Sequence, residues 1–377
     1  MTAFKHYGVS RIHFGPGSMQ ELPAILQELK LELGLPKSFT TLVVCGRHVQ
    51  ESILPQIQTL LAKSQVKMET FILPPGEPQL ASLDAGKEAA QDASLVIGLG
   101  GGSALDAAKA IGGLAKLPGR AEEYFFGRTP DKPSLPWLGI PTTAGSGAEV
   151  TNNAVLIHQD KKQSVRSPLW FAKAAIVDPE LTLSLPPKQT AICGLDALTH
   201  ATEGYLSRFS TPISDLLSLQ AVELVVENLP GAVTGGHDLK AREGLLLGSL
   251  LSAKAFVNSR LGAVHGLAHP IGVRSGQPHG LVCGMLLPHV FLYNLPQVTS
   301  KAEDLAKIFK SRAPEDIAEK IWQLLAQFQL PKTLSAIGIK QEELAAIAKE
   351  SLPSASMAAN PKNADFKELM LLLERAF

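Results

Sequence analysis

Short apolar runs alternate with amphipathic stretches through the first half of the chain. The runs that have strand composition lie at 11–15, 41–46, 68–73, 94–100, 136–141, 153–158 and 174–178. Amphipathic segments such as 18–33 and 79–93 separate several of these runs and have the composition of helices. Strands that alternate with helices are typical of a parallel sheet covered by helices. The pattern therefore predicts an α/β domain in this half.

The second half follows a different pattern. Beyond 178–187 the sequence is helical almost to its end, with Gly and Pro interruptions at 230–236, 270–280 and 351–361. Leu-rich and Ala-rich segments at 244–257 and 315–328 are predicted to be buried helices. We therefore expect two domains, residues 1–183 with strands and helices and residues 184–377 with helices alone. A length of 377 residues also favours two domains.

Composition narrows the class of partner. The 35 basic and 35 acidic residues cancel to a net charge of zero, which gives no electrostatic surface for nucleic acid or an anionic membrane. The sequence shows no run of 18 or more apolar residues and no apolar core of a signal peptide. Its three cysteines do not form a disulfide framework, which fits a reducing compartment. We expect a cytoplasmic protein that acts on a small molecule.

Five residues of the second half have the side chains and the spacing of a metal site. Asp196 and His200 are four residues apart in a predicted helix and so share one face of it. His265 and His269 have the same spacing, and His279 follows them. One carboxylate and several imidazoles suit a divalent first-row metal, and an open coordination position would make the site catalytic. Ordinary histidines are the alternative, but four of the ten histidines lie within the 25 residues 265–289.

Two of the three cysteines are close to these residues in sequence. Cys193 lies three residues before Asp196, and Cys283 lies four residues after His279. Both are near enough to approach a metal bound there. A cysteine is more often a small core residue, and both interpretations stay open at this point.

Two loops that follow predicted strands have the composition of a nucleotide site. The first joins the strand at 94–100 to a helix through Gly101, Gly102 and Ser103. Glycines let the backbone approach a diphosphate, and a helix N-terminus presents unpaired N–H groups to it. This loop is not the GxGxxG fingerprint, and a tight strand-to-helix turn has the same composition. The second loop, 141–151, offers four hydroxyls and two glycines, and a polar surface turn is its alternative. Together the two loops favour nucleotide binding.

Gly46 and Arg47 bear on the choice of nicotinamide cofactor. An acidic residue at the end of the second strand binds the ribose hydroxyls of NAD, whereas a nearby Arg accommodates the 2′-phosphate of NADP. If 41–46 is that strand, Gly46 occupies the position of the acid and Arg47 follows it. Arg47 is equally explained as a solvated surface charge. The pattern slightly favours NADP(H).

These motifs together resemble those of the iron-containing (group III) alcohol dehydrogenases over nearly the whole chain. The matching segments are GGGSALDAAKAIG, PTTAGSGAEVTNNAVL, AAIVDPELTLSLP, GLDALTHATEGY, LGAVHGLAHPIG and QPHGLVCGMLLPHV. The last three together are the most specific. The resemblance implies a Rossmann-like N-terminal domain followed by an all-helical C-terminal domain, the dehydroquinate synthase-like architecture, with the site in the cleft between them. It also implies a homodimer.

The resemblance further implies roles for individual residues. The metal ligands would be Asp196, His200, His265 and His279. His269 would lie beside the metal and relay a proton to solvent, and orienting a ligand is its alternative role. The residues that would contact the dinucleotide are Gly46, Gly101, Gly102, Ser103, Thr142, Thr143, Ser146 and Lys162. Those that would face the substrate are Asn153 and Phe256. Gly46 departs from the family pattern, because many NAD-preferring relatives carry Asp there.

The implied reaction interconverts a small primary alcohol or diol and its aldehyde by hydride transfer with NAD(P)(H). Iron is the metal that the family implies, although three nitrogens and one carboxylate oxygen also suit Zn²⁺. A zinc polyol dehydrogenase of the glycerol type and a dehydroquinate synthase-like lyase are alternatives in the same superfamily. A metal hydrolase that uses His265 and His269 as a zinc pair is a further alternative. The chain lacks the glutamate of the HExxH motif that such an enzyme needs, because Gly266 follows His265. Metal binding without catalysis would leave the Gly-rich loops without a purpose.

Overall fold

The computed structural model describes residues 3–159 and 161–377, which form two compact units. The sheet unit comprises Gly8–Thr143 and Gly147–Leu183. The helical unit comprises residues 3–7, Ala144–Ser146 and Ser184–Phe377. The predicted fold class, a parallel-sheet α/β domain followed by an all-helical domain, is confirmed.

A six-stranded parallel sheet forms the centre of the sheet unit. The strands of this unit are β1 (Ile12–Phe14), β2 (Thr40–Gly46), β3 (Lys67–Leu73), β4 (Leu95–Gly100), β5 (Trp137–Pro141), β6 (Asn153–His158), β7 (Lys161–Arg166) and β8 (Ala174–Val177). The sheet has the order β1-β8-β5-β4-β2-β3, and all its paired strands are parallel. The pairs Cys45–Leu99 and Gly100–Pro141 bring the carboxyl ends of β2, β4 and β5 to one edge of the sheet.

Strands β6 and β7 form a separate antiparallel ribbon. The sequence predicts the strand at 153–158 but not its partner β7, which reads KKQSVR and is mostly exposed. A polar strand of this kind has no apolar alternation to reveal it, and only its pairing with β6 defines it. The expectation that 153–158 belongs with the strands of the parallel sheet is therefore corrected.

Helices cover both faces of the sheet. The helices of this unit are α1 (Leu22–Leu33), α2 (Arg47–Ser52), α3 (Leu54–Lys63), α4 (Leu80–Ala89), α5 (Gly102–Leu114) and α6 (Ala121–Phe125), with 3₁₀ turns at Ser18–Glu21, Ala148–Val150, Pro168–Trp170 and Pro179–Thr182. Alternate β2 residues point to opposite faces, so Val44 packs in the core around α5 and Val43 in the core around α1 and α3. The sheet therefore has two apolar faces, and α5 is buried almost along its whole length.

The helical unit is built around one buried helix. Its helices are α7 (Pro187–Leu206), α8 (Pro212–Thr234), α9 (Leu239–Ser259), α10 (Ala263–Ser275), α11 (His279–Asn294), α12 (Thr299–Ile308), α13 (Asp316–Gln327), α14 (Leu344–Ser351), α15 (Ala355–Ala359) and α16 (Phe366–Ala376), with 3₁₀ turns at Leu295–Gln297, Ser335–Ile337 and Gln341–Glu343. Helix α7 packs against α8, α9 and α11 and is buried almost continuously from Thr190 to Leu206. Its polar side chains therefore lie in the interior of the unit.

Helix α8 has the length and the apolar composition of a membrane span. The core helix of a soluble protein passes the same test, so length and composition alone are weak evidence. Helix α8 packs against α7 and α9, and its Val222, Val225 and Leu229 side chains are buried. It is a core helix, and no other helix in the described part of the chain passes the test.

Candidate metal centre and nucleotide site

Three helices of the helical unit bring the five sequence-predicted metal candidates together. Asp196 and His200 lie on α7, His265 and His269 on α10, and His279 is the first residue of α11. The His265 ring centroid is 4.7 Å from that of His200 and 5.3 Å from that of His279. The His269 and His279 centroids are 5.5 Å apart. Residues up to 83 positions apart in sequence thus form one cluster.

Gly280 permits the close contact between α7 and α11. A Cβ atom at this position would lie 2.5 Å from the Ile192 carbonyl oxygen and 2.9 Å from the Asp196 Cβ atom. Any larger residue would push α11 away from α7, because one of these atoms belongs to the backbone. The glycine that follows His279 therefore brings that histidine close to Asp196.

The potential ligand atoms converge on a small volume. Those of Asp196, His265, His279 and Cys283 all lie within 4.8 Å of one another. The His200 Nε2 atom lies 4.0 Å from Asp196 Oδ1, at the edge of this group. Cys283, whose role the sequence leaves open, is fully buried, with Sγ 3.5 Å from His279 Nε2 and 3.9 Å from His265 Nε2. The cluster thus offers oxygen, nitrogen and sulfur donors.

The Asp196 carboxylate supports the fit to a divalent metal. Its side chain is buried, and Oδ1 accepts no hydrogen bond from the described residues. A buried carboxylate oxygen without a hydrogen-bond donor is costly, whereas a cation would compensate its charge. Together with neighbouring imidazoles, the donor set suits Fe²⁺ or Zn²⁺.

Glu203 orients one of these imidazoles, a role that was not predicted from the sequence. Its Oε2 accepts a hydrogen bond of 2.6 Å from His265 Nδ1, and its Oε1 accepts one of 2.7 Å from the Val264 backbone N–H. With Nδ1 engaged as a donor, the His265 Nε2 lone pair is left for a metal. The available signal is local: Glu203 lies seven residues after Asp196 and therefore on the same face of α7.

His200 is held as a neutral imidazole. Burial lowers its pKa to about 4, and the nearby Asp196 carboxylate opposes this shift only in part. Its Nδ1 donates a hydrogen bond of 3.3 Å to the Gly145 carbonyl oxygen. A neutral ring that donates from Nδ1 keeps a lone pair on Nε2, which is the form that binds metals. The Phe256 ring stacks on His200, with centroids 4.5 Å apart, so this predicted substrate residue lies beside the cluster.

The predicted phosphate loop joins β4 to α5 at the carboxyl edge of the sheet. Gly100 has a φ of +145°, which favours glycine, and a Cβ atom there would lie 2.9 Å from the Ala104 Cβ atom. Gly101 precedes the first turn of α5, and Gly102 and Ser103 begin that helix. The first-turn N–H groups of a helix of this length form a suitable site for a phosphate.

The remaining predicted cofactor and substrate residues occupy several places. Gly46 ends β2, and Thr142 and Thr143 follow β5 at the same sheet edge, where the Thr142 N–H donates to the Gly100 carbonyl oxygen. Ser146 belongs to the helical unit. Lys162 and Asn153 lie on the β6–β7 ribbon, where Lys162 forms an ion pair with Glu77 and the Asn153 amide donates to Ser164. The sheet edge therefore unites Gly46, Gly101–Ser103 and the two threonines.

Comparisons with known proteins identify the family. The family described as "Iron-containing alcohol dehydrogenase" matches residues 9–179, and "Fe-containing alcohol dehydrogenase family, C-terminal" matches residues 190–377. The chain is 35% identical over 324 residues to the "Probable alcohol dehydrogenase EutG" of Salmonella typhimurium, covering 84% of this chain and 82% of the relative. It is 34% identical over 297 residues to the "Lactaldehyde reductase" of Escherichia coli K12, covering 76% of this chain and 77% of the relative.

Among solved structures, the crystal structure of a 1,3-propanediol oxidoreductase superposes with a TM-score of 0.93. The two chains are 29% identical, and the superposition covers 100% of each. A sulfoacetaldehyde reductase from Bifidobacterium kashiwanohense, solved in complex with NAD⁺, has a TM-score of 0.90 at 27% identity and covers 100% of this chain and 99% of its own. On these matches and on its cluster of metal-binding side chains, the chain belongs to the iron-containing alcohol dehydrogenase family.

Proposed function

We propose that this protein is a metal-dependent, NAD(P)-linked dehydrogenase that interconverts a small primary alcohol or diol and its aldehyde. The observation that carries the proposal is the buried group of carboxylate, imidazole and thiol donors, in which Glu203 orients His265. Relatives named as a lactaldehyde reductase and as 1,3-propanediol dehydrogenases support this substrate class. The family resemblance also supports a homodimer, and the composition supports a cytoplasmic enzyme.

The proposal assigns binding roles within the two predicted domains. In residues 1–183, Gly46, Gly101, Gly102, Ser103, Thr142, Thr143, Ser146 and Lys162 bind the dinucleotide. In residues 184–377, Asp196, His200, His265 and His279 hold the metal. Asn153 and Phe256 face the substrate. Iron is the family expectation, and NADP(H) is slightly favoured because Gly46 offers no carboxylate to repel a 2′-phosphate.

The side chains of this protein supply binding, orientation and proton transfer. A divalent metal held by Asp196, His200, His265 and His279 would supply Lewis-acid polarisation of the substrate oxygen, and a bound nicotinamide would supply the hydride chemistry. Glu203 and the Gly145 carbonyl oxygen fix the tautomers of His265 and His200, which keeps their Nε2 atoms available. The buried Phe256 ring covers His200 and excludes water from that side.

His269 is proposed to carry the proton between the substrate oxygen and solvent. It is half-buried, and its ring lies 5.5 Å from that of His279, so it combines access to solvent with nearness to the site. Replacing His269 with Ala should lower turnover by about 10²- to 10⁴-fold while the metal content stays unchanged. His237→Ala, on an exposed histidine of the same unit, is the matched control. Undiminished turnover of the metal-loaded H269A variant would exclude the relay role.

The overall proposal is tested by incubating purified, metal-loaded protein with short aldehydes and with NADH or NADPH. Loss of nicotinamide absorbance with an equimolar yield of alcohol is the expected result. A dehydroquinate synthase-like lyase would transform its substrate without a net change in that absorbance, and a glycerol-type dehydrogenase would prefer polyols with zinc bound. No oxidation of either cofactor across the aldehyde and alcohol panel would contradict the proposal.

A further inference from the structure

We infer that Cys283 is an additional ligand of the metal in this chain, which makes the centre a mixed nitrogen, oxygen and sulfur site. The inference rests on the proposed metal centre and goes beyond its four expected ligands. It follows from the position of the Cys283 thiol, whose sulfur lies among the convergent ligand atoms and within 4 Å of two imidazole nitrogens.

The distances fit coordination. Cys283 Sγ lies 3.5 Å from His279 Nε2 and 3.9 Å from His265 Nε2. At metal–nitrogen distances of about 2.0–2.1 Å and a metal–sulfur distance of about 2.3 Å, a nitrogen and a sulfur bound to one metal lie roughly 3–4 Å apart. One metal position can therefore serve both imidazoles and the thiolate. The Asp196 carboxylate lies in the same group, within 4.8 Å of the other ligand atoms.

The helices hold the thiol in this place. Cys283 follows His279 by four residues in α11 and so lies on the same helix face. The next residue, Gly284, packs closely on α7, where an added Cβ atom would lie 3.0 Å from the Leu195 Cβ atom. With glycines at both 280 and 284 against α7, the position of α11 is fixed and the thiol is fully buried.

The other two cysteines provide a contrast. Cys45 lies in the hydrophobic core of β2, and burial raises its pKa to about 11, as expected for an inert thiol. Cys193 lies on α7 against Gly145, and its thiol is not part of the group of convergent ligand atoms. Of the three cysteines, Cys283 alone combines burial with several potential ligands in the described structure.

A sulfur ligand changes which metal the site prefers. Thiolate is a softer donor than imidazole or carboxylate and favours zinc over Fe²⁺ at sites of this kind. Its negative charge adds to that of Asp196, so the two together balance a divalent cation. Binding the metal releases one further proton, because the thiol must ionise. We therefore expect this chain to discriminate between zinc and iron more strongly than a site without sulfur.

Cobalt substitution tests the inference directly. Apoprotein prepared with a chelator is reconstituted with Co²⁺, and the near-ultraviolet spectrum is recorded for the unmodified protein and for C283A, C193A and C45A. The unmodified protein, C193A and C45A should show an intense sulfur-to-cobalt charge-transfer band, and C283A should lose it. Visible cobalt bands and circular dichroism establish that each variant binds the metal and folds.

A second measurement is the ratio of zinc to iron affinities, obtained anaerobically by competition. Loss of an outer-shell partner already costs about 10- to 100-fold in metal affinity. C283A should lower zinc affinity at least as much, and iron affinity less. Absence of the charge-transfer band in the unmodified protein overturns the inference, even if C283A does not fold.

The outcomes separate this inference from the proposed function. A charge-transfer band without nicotinamide-linked activity overturns the proposed reaction and leaves Cys283 as a ligand. Nicotinamide-linked activity of the cobalt-loaded protein without the charge-transfer band overturns Cys283 as a ligand and leaves the proposed reaction standing.

Discussion

Glu203 binds the His265 imidazole through a 2.6 Å hydrogen bond from Nδ1 to Oε2, although the two residues are 62 positions apart in sequence. The other carboxylate oxygen accepts from the Val264 N–H at 2.7 Å. Both side chains are buried, with exposed fractions of 5% for Glu203 and 4% for His265. The carboxylate thus fixes both the backbone at the start of α10 and the tautomer of its histidine.

Glu203→Gln should weaken metal binding by about 10- to 100-fold. A carboxylate offers two acceptor oxygens, and both are used here, whereas an amide offers only one. Either the Val264 N–H or the His265 Nδ1–H would then face the amide N–H₂ group, which cannot accept its hydrogen bond. The apparent metal affinity is measured by competition with a chelator. Gln220→Ala, an exposed change on α8, is the control, and an affinity in E203Q equal to that of the control would contradict this role.

Gly46→Asp should shift cofactor preference toward NADH. Gly46 has a φ of −85°, and a Cβ atom there would meet nothing within 4 Å, so the backbone and the surroundings accept a larger residue. The new carboxylate would repel a 2′-phosphate and accept from the ribose hydroxyls. The ratio of kcat/KM for NADPH to that for NADH should fall about tenfold or more, equivalent to roughly 1.4 kcal/mol.

Arg47→Gln separates the two contributions to this preference. Arg47 is exposed at the start of α2, so its removal should leave the fold intact. If it binds the 2′-phosphate, kcat/KM falls for NADPH alone. Equal losses with both cofactors, or none with either, would assign Arg47 to the solvated surface.

Lys109→Met should destabilise the sheet unit by about 3–5 kcal/mol, because it leaves the buried Asp106 carboxylate without its partner. The fully buried ammonium donates to Thr151 Oγ1 at 2.9 Å, to the Asn153 carbonyl oxygen at 2.5 Å and to Asp106 Oδ1 at 3.3 Å. The free energy of unfolding is measured by urea denaturation.

Lys87→Met is the matched control for this charge effect. Lys87 is also buried, but it donates to the carbonyl oxygens of Leu117 and Gly119. Its loss should cost only about 1–3 kcal/mol, because neutral acceptors are left unpaired. Adding Asp106→Asn to K109M should recover part of the stability. Equal costs for the two lysine variants would show that the Asp106 charge is unimportant.

Glu149→Gln should change how stability depends on pH. Burial raises the Glu149 pKa from 4.5 to about 7, while Lys109 opposes this shift. Between these values the folded protein keeps a proton that the unfolded chain releases, so Glu149 makes stability fall as pH rises through this window. The loss is complete above the folded pKa and amounts to about 3 kcal/mol.

The variant should therefore flatten this slope and be more stable than the parent at about pH 8, with little difference at about pH 4. Unfolding free energies at several pH values provide the measurement. Glu69→Gln removes an exposed carboxylate from β3 and should leave the slope unchanged. An unaltered slope in E149Q would contradict the predicted effect of burial.

Local patterns in the sequence predicted much of the fold and of the site. Strands β2, β4, β5 and β8 were visible as apolar runs, because a strand buried on both faces needs apolar residues along its length. The spacing of four between Asp196 and His200 placed them on one helix face without any knowledge of tertiary structure. Strand β7 escaped prediction because its polar residues pair at an exposed ribbon.

By itself the sequence determined the two-part architecture, the glycine-rich loops and the set of metal candidates, since each depends on residues close together along the chain. Tertiary structure alone decided that Glu203 orients His265 and that the Cys283 thiol faces two imidazoles. These relationships depend on how α7, α10 and α11 pack. Gly280 brings two of these helices into close contact, but nothing in its neighbouring residues specifies which side chains will meet across that contact.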